Sequence, residues 1–284
     1  MLKQIGNFIL HLRLNYNFLI LSAPFLLGAF YVSKIINVYS FLYLFVVAYI
    51  FLFGGVNAYN SYFDKDEGPI GGLEKPPKMN KWMLAASWSF QIVGLALSIW
   101  SGYIYTVLVI MTIFLSWLYS GMKFRFKGRP ILSLITIGIG IPLCMTFIGY
   151  IAAGGNTITT QLILGAIGSA LIIMSMYPFS QVYQIADDEK RGDTTFTVRY
   201  GVMGVKRIFY RIFPLGIILL SLSFSSKPLL SIMMIAIGST AYIAIWGIIK
   251  NISGIRSEYK IIMNTKYYSG IAFTLAIILL LMTR

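Results

Sequence analysis

The segment from Tyr183 to Gly201 reads Tyr-Gln-Ile-Ala-Asp-Asp-Glu-Lys-Arg-Gly-Asp-Thr-Thr-Phe-Thr-Val-Arg-Tyr-Gly and concentrates acidic residues in a chain that is otherwise apolar. The protein has nine Asp and Glu residues, and all except Glu258 fall in this segment or in a second one from Asp64 to Glu74. Each acidic segment follows a long apolar run. Since carboxylates are kept in only two places, they indicate a binding site, and such clusters suit a hard divalent cation with oxygen ligands.

The composition decides the class of protein. With 58% hydrophobic and 11% charged residues, the chain has too few polar side chains to cover a soluble globule. A net charge of +14 is also typical of nucleic-acid binding, but there the cations form a basic face in polar surroundings. Here they interrupt long apolar runs. We therefore predict an integral membrane protein that binds the lipid bilayer and no nucleic acid.

The apolar runs are about 20 residues long, which is the length of a membrane-spanning helix. They cover approximately 14–32, 39–60, 82–101, 103–120, 131–152, 160–183, 205–224, 229–249 and 265–283. Eight spans is the competing count, because only Ser101-Gly102 divides the region from 82 to 120. The predicted fold is all-α, with one domain over residues 1–284 and nine transmembrane helices in a bundle around a central cavity.

The basic residues favour nine spans. Of the 23 Lys and Arg residues, only Lys34, Lys227 and Arg284 fall on one side when nine spans are threaded. Eight spans would scatter the cations over both faces. By the positive-inside rule, the N-terminus lies in the cytoplasm together with both acidic segments. The predicted cytoplasmic cap loops are near 61–81, 121–130 and 184–204.

The residues at the ends of two spans form two polar stripes. Asn57, Asn60 and Asp64 have the spacing i, i+3 and i+7, so a helix places them on one face. Gln184 and Asp188 have the spacing i and i+4, with Asp187 on a neighbouring face. Mg²⁺ is commonly held by such oxygens together with substrate phosphates. The predicted Mg²⁺ ligands are Asn57, Asn60, Asp64, Gln184, Asp187 and Asp188.

Basic side chains in the same loops complement this site. Lys65, Lys123, Arg125 and Lys127 are predicted to bind a diphosphate that metal bridges to the two stripes. The alternative is that acids and cations merely neutralise each other at the surface. His11, the only histidine, is interpreted as a surface residue with no chemical role.

Three segments together resemble the UbiA-type intramembrane prenyltransferase superfamily. Residues 60–66, Asn-Ser-Tyr-Phe-Asp-Lys-Asp, resemble its first motif, Asn-Asp-x-x-Asp-x-x-x-Asp. Residues 184–201 resemble its second motif, Asp-x-x-x-Asp-x-x-x-Gly followed by Thr-Leu-Ala-Val-Arg-x-Gly. Residues 119–130 resemble the loop after its fourth helix, Tyr-Ser followed by Arg-x-Lys. Ser61, Gly68 and Gln184 stand where three carboxylates of the family are expected.

The resemblance implies a Mg²⁺-dependent enzyme that moves an isoprenyl group from a (poly)prenyl diphosphate to a lipophilic, aromatic acceptor, as in quinone or pigment biosynthesis. It assigns catalysis to Asn60, Asp64 and Asp188, and it places Arg13 at a basic position that reaches the diphosphate. Tyr62 and Tyr183 are predicted as pocket aromatics that stabilise an allylic cation.

Two alternatives remain open. The first is a terpene cyclase of the same superfamily, in which the allylic cation is attacked by double bonds of its own chain. The second is a non-enzymatic lipid-diphosphate binder or transporter.

Overall fold

The computed structural model describes residues 2–32, 37–65 and 67–282, and its regular secondary structure in these ranges is helical. The all-α prediction is therefore confirmed. The helices are α1 Leu2–His11, α2 Leu14–Phe30, α3 Val38–Asp64, α4 Lys81–Ser101, α5 Tyr103–Ser120, α6 Pro130–Ala152, α7 Thr160–Val182, α8 Ile185–Arg191, α9 Phe196–Leu222, α10 Pro228–Ile249 and α11 Arg256–Met282. Lys34, Asp66 and Arg284, which the charge and motif arguments used, lie outside the described residues.

Seven helices in the described part of the chain are long and apolar enough to cross a membrane: α3, α4, α5, α6, α7, α10 and α11. The chain is therefore an integral membrane protein. The predicted first and seventh spans lie on α2, which has 17 residues, and on α9, whose first half carries several basic residues. Gly102 separates α4 from α5 with a φ of 94°, a conformation that favours glycine, so the region from 82 to 120 forms two helices. The total of nine spans stays a prediction.

Helix α2 packs between α6 and α11, while α9 packs on α7 and α3 on α4. The contact between α2 and α6 depends on small residues. A Cβ atom added at Gly28 would overlap the carbonyl of Thr146, and one added at Gly149 would overlap the carbonyl of Phe25. Without side chains at these points, the two backbones approach closely enough to pack in a membrane.

Two helices contain π-helical segments, at Val47–Leu52 in α3 and at Ile139–Leu143 in α6. The wider turn changes which face the following residues present, and such segments are frequent at functional sites. In α3, Asn57, Asn60 and Asp64 follow the π-helical segment and line an internal cavity. The distortion thus lies directly before the predicted polar stripe.

Candidate active site

The helices enclose a cavity of about 230 Å³. Much of its polar lining comes from residues at or near the ends of α2, α3, α5 and α7 and from the segments that follow: Arg13, Asn57, Asn60, Asp64, Ser120, Lys127, Gln181 and Gln184. The remaining lining is largely apolar and includes Leu21, Leu27, Phe53, Ile172 and Ile277. The cavity therefore joins a polar end to an apolar interior.

The polar stripe of α3 faces this cavity as its spacing predicts. Asn60 Nδ2 donates hydrogen bonds to Asp64 Oδ2 at 2.9 Å and to Ser120 Oγ at 2.9 Å. Asn57 Nδ2 donates to Asn17 Oδ1 of α2 at 2.7 Å. These bonds fix the amide groups relative to neighbouring helices, so the stripe is oriented by α2 and α5.

Asp64 is 1% exposed and interacts with two cations. Lys127 Nζ donates to its Oδ2 at 2.6 Å, and an Arg125 guanidinium nitrogen lies 3.4 Å from Oδ1. Arg125 also donates to both carboxylate oxygens of Asp193, at 2.6 and 2.7 Å. The hydrogen bonds to Asp193 raise the pKa of Arg125. The loop after α5 therefore connects the two acidic segments.

Asp188 lies in a different environment. It is fully buried, forms an ion pair with Arg191, and has an Oδ2 atom without a hydrogen-bond partner among the described residues. Burial raises the pKa of Asp188 to about 6, although the positive charges of Lys127 and Arg191 oppose the shift. Arg191 also donates to the backbone carbonyl of Asp64 at 3.4 Å. The two acidic segments therefore meet at one place, as the sequence indicates.

The structure shows what contacts each of the three positions that lack an expected carboxylate. Ser61 accepts a 2.6 Å hydrogen bond from Arg13, which is buried and lines the cavity. Gln184 lines the cavity and donates from Nε2 to the carbonyl of Pro69 at 2.9 Å. A Cβ atom at Gly68 would collide with Asp187 Oδ2 and with Arg256. An ion pair therefore occupies the space where a side chain at position 68 would lie.

Several predicted site residues lie away from the cavity lining. Asp187 is 28% exposed and pairs with Arg256 at 2.8 Å. Lys65 and Lys123 are exposed, and Lys123 Nζ lies 5.7 Å from the centre of the Phe124 ring. Only Arg125 and Lys127 of the four predicted loop cations contact the buried carboxylates.

The predicted pocket aromatics are also outside the cavity lining. Tyr62 packs edge-on against Phe63, and Tyr183 packs against Tyr259 and directs its hydroxyl to Met263. The tyrosines that line the cavity are Tyr16, Tyr119 and Tyr177, and the last two share a hydrogen bond between their hydroxyls. The rotation of each helix about its own axis decides which tyrosines face the cavity. In spans that are apolar on all sides, the spacing of residues in the sequence does not define this rotation.

Lys266 of α11 lines the cavity, although the sequence analysis did not assign it to the site. It is 9% exposed, and its Nζ lies 5.9 Å from the centre of the Tyr16 ring. A lysine inside an apolar span usually marks a functional site, so the sequence itself contained an indication of the role of Lys266. The predicted span began at 265, which placed this lysine at the membrane edge instead of inside the bundle.

The interpretation of His11 as a surface residue is wrong. Its side chain is 1% exposed, and its Nε2 lies 2.8 Å from the carbonyl of Pro77. Burial lowers the pKa of His11 to about 4. The neutral imidazole therefore joins α1 to the loop before α4 and has a structural role.

Solved structures with a similar fold include UbiA homologues. The structure of one from Archaeoglobus fulgidus bound to DMAPP and Mg²⁺ has a TM-score of 0.73 at 15% identity and covers 94% of this chain and 99% of its own. The GPP and Mg²⁺ complex from the same organism has a TM-score of 0.70 at 16% identity with the same coverage. A structure of digeranylgeranylglyceryl phosphate synthase has a TM-score of 0.62 at 16% identity and covers 97% and 99%.

None of the curated proteins matches the chain. The sequence profile of the UbiA prenyltransferase family matches residues 21–260. This range contains both acidic segments and the loop between α5 and α6, and it confirms the predicted superfamily and the enzyme class. The protein belongs to the UbiA prenyltransferase family.

Proposed function

We propose that the protein transfers an isoprenyl group from a (poly)prenyl diphosphate to a lipophilic, aromatic acceptor, of the kind used in quinone or pigment biosynthesis, in a Mg²⁺-dependent reaction. One observation carries the proposal: a single cavity joins an apolar interior to a polar end lined by Asp64 and Lys127. Asp188 lies behind this lining, where it feels the charge of Lys127 and pairs with Arg191, which also contacts the Asp64 backbone. A prenyl diphosphate has the same division into an apolar chain and a charged head.

The charges of the lining favour an anion. Its charged members are Arg13, Asp64, Lys127 and Lys266, so cations outnumber the single carboxylate. Arg13 and Lys266 have no carboxylate within 4.0 Å in the described ranges. Buried cations without carboxylate partners are costly unless an anion accompanies them. A diphosphate would supply that negative charge.

The residues present fit a Mg²⁺ ion. Asp188 Oδ2 is a buried oxygen without a hydrogen-bond donor in the described chain, and Asp64 supplies a second carboxylate. Asn60 and Gln184 use their amide nitrogens for hydrogen bonds and retain amide oxygens as ligands. Mg²⁺ prefers such oxygens, and one or two carboxylates together with substrate phosphates are the usual set. The Mg²⁺ in the Archaeoglobus complexes supports this assignment.

In the proposed reaction, the bond between the allylic carbon and the diphosphate oxygen breaks, and pyrophosphate leaves. The acceptor then forms a bond to the allylic carbon and releases a proton. Mg²⁺, when bound, neutralises the negative charge on the departing diphosphate. Arg125 and Lys127 exchange their carboxylate partners for phosphate oxygens. The apolar walls exclude water, and Tyr119 and Tyr177 offer aromatic faces to the cation.

The topology is part of the same proposal. Nine spans result when α2 and α9 cross the membrane with the seven other apolar helices. The single domain then has its N-terminus and the site in the cytoplasm. The basic loops support this orientation, because Lys127 lines the polar end of the cavity and Arg125 and Arg191 contact Asp64 at that end.

The test is a screen of prenyl diphosphates against aromatic acceptors with purified protein, Mg²⁺ and product identification by mass. The proposal predicts a product with the mass of acceptor plus prenyl group, formed in step with pyrophosphate and absent with EDTA. Asp64→Asn protein, purified in the same way, is the control. Terpene products without acceptor would instead identify a cyclase. Donor binding without pyrophosphate release would favour a binder or transporter.

A further inference from the structure

A second charged surface lies on the outside of α9, away from the cavity. Arg207 and Arg211 are one turn apart, both are exposed, and they lie on one face of the helix. They line a groove of about 360 Å³ whose other walls include Ile131, Tyr200, Ile208 and Ile212. We call this set the α9 groove. It combines two guanidinium groups with an apolar floor.

The depth of the α9 groove follows from neighbouring contacts. Lys206 Nζ donates to the carbonyl of Lys250 at 2.6 Å, directly after the last residue of α10. Because α10 is a membrane-spanning candidate, its end marks the interface between bilayer and water. Arg207 lies at this level, and Arg211 lies one turn further into the bilayer. Long side chains on a helix point toward its N-terminus, so the Arg211 guanidinium returns toward the interface.

The surface beyond the arginines is apolar. Leu215, Ile218 and Leu222 continue the stripe of Arg207 and Arg211 along α9, and they are 44%, 53% and 49% exposed. Their spacing of three or four residues keeps them on one face. A ligand anchored at the arginines would therefore find a hydrocarbon-facing surface running toward the opposite leaflet.

The arginines have no protein anion to neutralise them. Over residues 2–32, 37–65 and 67–282, no carboxylate lies within 4.0 Å of either guanidinium. Arginine forms paired hydrogen bonds with phosphate, and lipid phosphates are the anions available at this depth. A free phosphate ion would neutralise the two arginines but has no apolar part that could contact the stripe of Leu215, Ile218 and Leu222.

We propose that the α9 groove binds an anionic phospholipid, with the headgroup phosphate between Arg207 and Arg211 and one acyl chain along Ile208, Ile212 and Leu215. The lipid belongs to the leaflet at the polar end of the cavity, because α9 begins at Phe196, within the acidic segment from Tyr183 to Gly201. The site is separate from the proposed active site, since none of the residues lining one lines the other.

The experiment is native mass spectrometry of the full chain, delipidated in detergent and then given equimolar phosphatidylglycerol and phosphatidylcholine. We expect phosphatidylglycerol to be retained preferentially. Replacing both arginines, R207Q with R211Q, should reduce its retention about tenfold or more. The pair K75Q with K78Q removes the same charge from exposed lysines at the same end and should leave retention unchanged.

Three outcomes would overturn the proposal: equal retention of the two lipids by the unsubstituted protein, equal losses in the arginine and lysine pairs, or displacement of phosphatidylglycerol by millimolar inorganic phosphate. If the glutamine pair does not fold, the pair R207K with R211K retains the charge and should bind less phosphatidylglycerol than the unsubstituted protein, because lysine lacks the paired hydrogen bonds of arginine. Undiminished retention by this lysine pair would contradict the assignment.

Discussion

Asp64 and Asp188 occupy similar places in the sequence, each at the polar end of an apolar run, but the structure surrounds them differently. Both oxygens of Asp64 interact with cations, at 2.6 Å from Lys127 and 3.4 Å from Arg125. Asp188 has one oxygen paired with Arg191 and one without a partner in the described chain. The first carboxylate is neutralised by two cations, whereas the second is fully buried with one oxygen that accepts no hydrogen bond in the described chain. Two motifs with similar residues therefore place their carboxylates in different electrostatic environments.

The largest expected effect is the loss of either carboxylate. Asp64→Asn and Asp188→Asn should each lower Mg²⁺-dependent turnover by about 1000-fold, because each removes a charged oxygen from the proposed metal and diphosphate site. Pyrophosphate release by purified protein is the measurement. Asp187→Asn is the matched control, since Asp187 pairs with Arg256 outside the cavity and should retain most activity. An equal loss in all three variants would contradict the distinction drawn between neighbouring acids.

The cations provide the next comparison. Lys127→Met should reduce kcat/KM for the prenyl diphosphate by about 100-fold, because Lys127 is a buried cation that lines the cavity and binds Asp64. Lys123→Met removes the same charge from an exposed position in the same loop and should change kcat/KM by less than about twofold. If both variants lose activity alike, the loop acts through its total charge and the specific contact is irrelevant.

The pKa of Asp188 predicts a pH dependence. Below a pKa of about 6 the carboxyl group is protonated, and a proton must leave before Mg²⁺ binds there. The Mg²⁺ concentration for half-maximal activity should therefore rise by up to about tenfold for each pH unit below 6 and level off above it. Mg²⁺ titration of the donor alone corrects for protonation of the diphosphate. A half-maximal concentration that stays constant from pH 5 to 7.5 would exclude Asp188 as a ligand that titrates in this range.

The smallest effect concerns stability. A raised pKa means that the folded protein favours the protonated form of Asp188. Ionisation therefore destabilises the fold as the pH rises from 3.8, the ordinary pKa of Asp, to about 6, the pKa in the folded protein. Above pH 6 the full loss of stability remains. Asp188→Asn should therefore raise the Tm of the ligand-free protein by a few degrees at pH 7.5 and by less at pH 5. Thermal unfolding in detergent measures this shift. Asp187→Asn should leave Tm nearly unchanged, and a lower Tm for Asp188→Asn would show that its ion pair with Arg191 outweighs the burial penalty.

Much of the architecture could be predicted because it depends on composition and spacing. The apolar runs predicted the helices closely, and the division at Gly102 appeared where expected. The stripe of Asn57, Asn60 and Asp64 could also be predicted, since a helix places residues at i, i+3 and i+7 on one face whatever surrounds it. Local geometry was sufficient for these features.

The remaining details depend on contacts between distant segments. Gln184 and Asp187 are three residues apart, yet one lines the cavity and the other pairs with Arg256 of α11. Tyr62 and Tyr183 were chosen for their proximity to the motifs, whereas the cavity receives Tyr16, Tyr119 and Tyr177 because of how the helices rotate and pack. Lys266 was missed because a shift of a few residues in a span boundary moved it from the cavity to the membrane edge. Tertiary packing decides which of these side chains face the cavity, and the spacing of residues in the sequence does not reveal that packing.

The central claim is that Asp64 and Asp188 form the two halves of one Mg²⁺-dependent site for a prenyl diphosphate. Isothermal titration calorimetry of the purified protein with geranyl diphosphate tests it most directly, in Mg²⁺ and in EDTA, for the unsubstituted protein and for Asp64→Asn, Asp188→Asn and Asp187→Asn. The account predicts binding that requires Mg²⁺, is lost in the first two variants and persists in the third. Binding that is unchanged by EDTA, or that survives in both Asp64→Asn and Asp188→Asn, would contradict it.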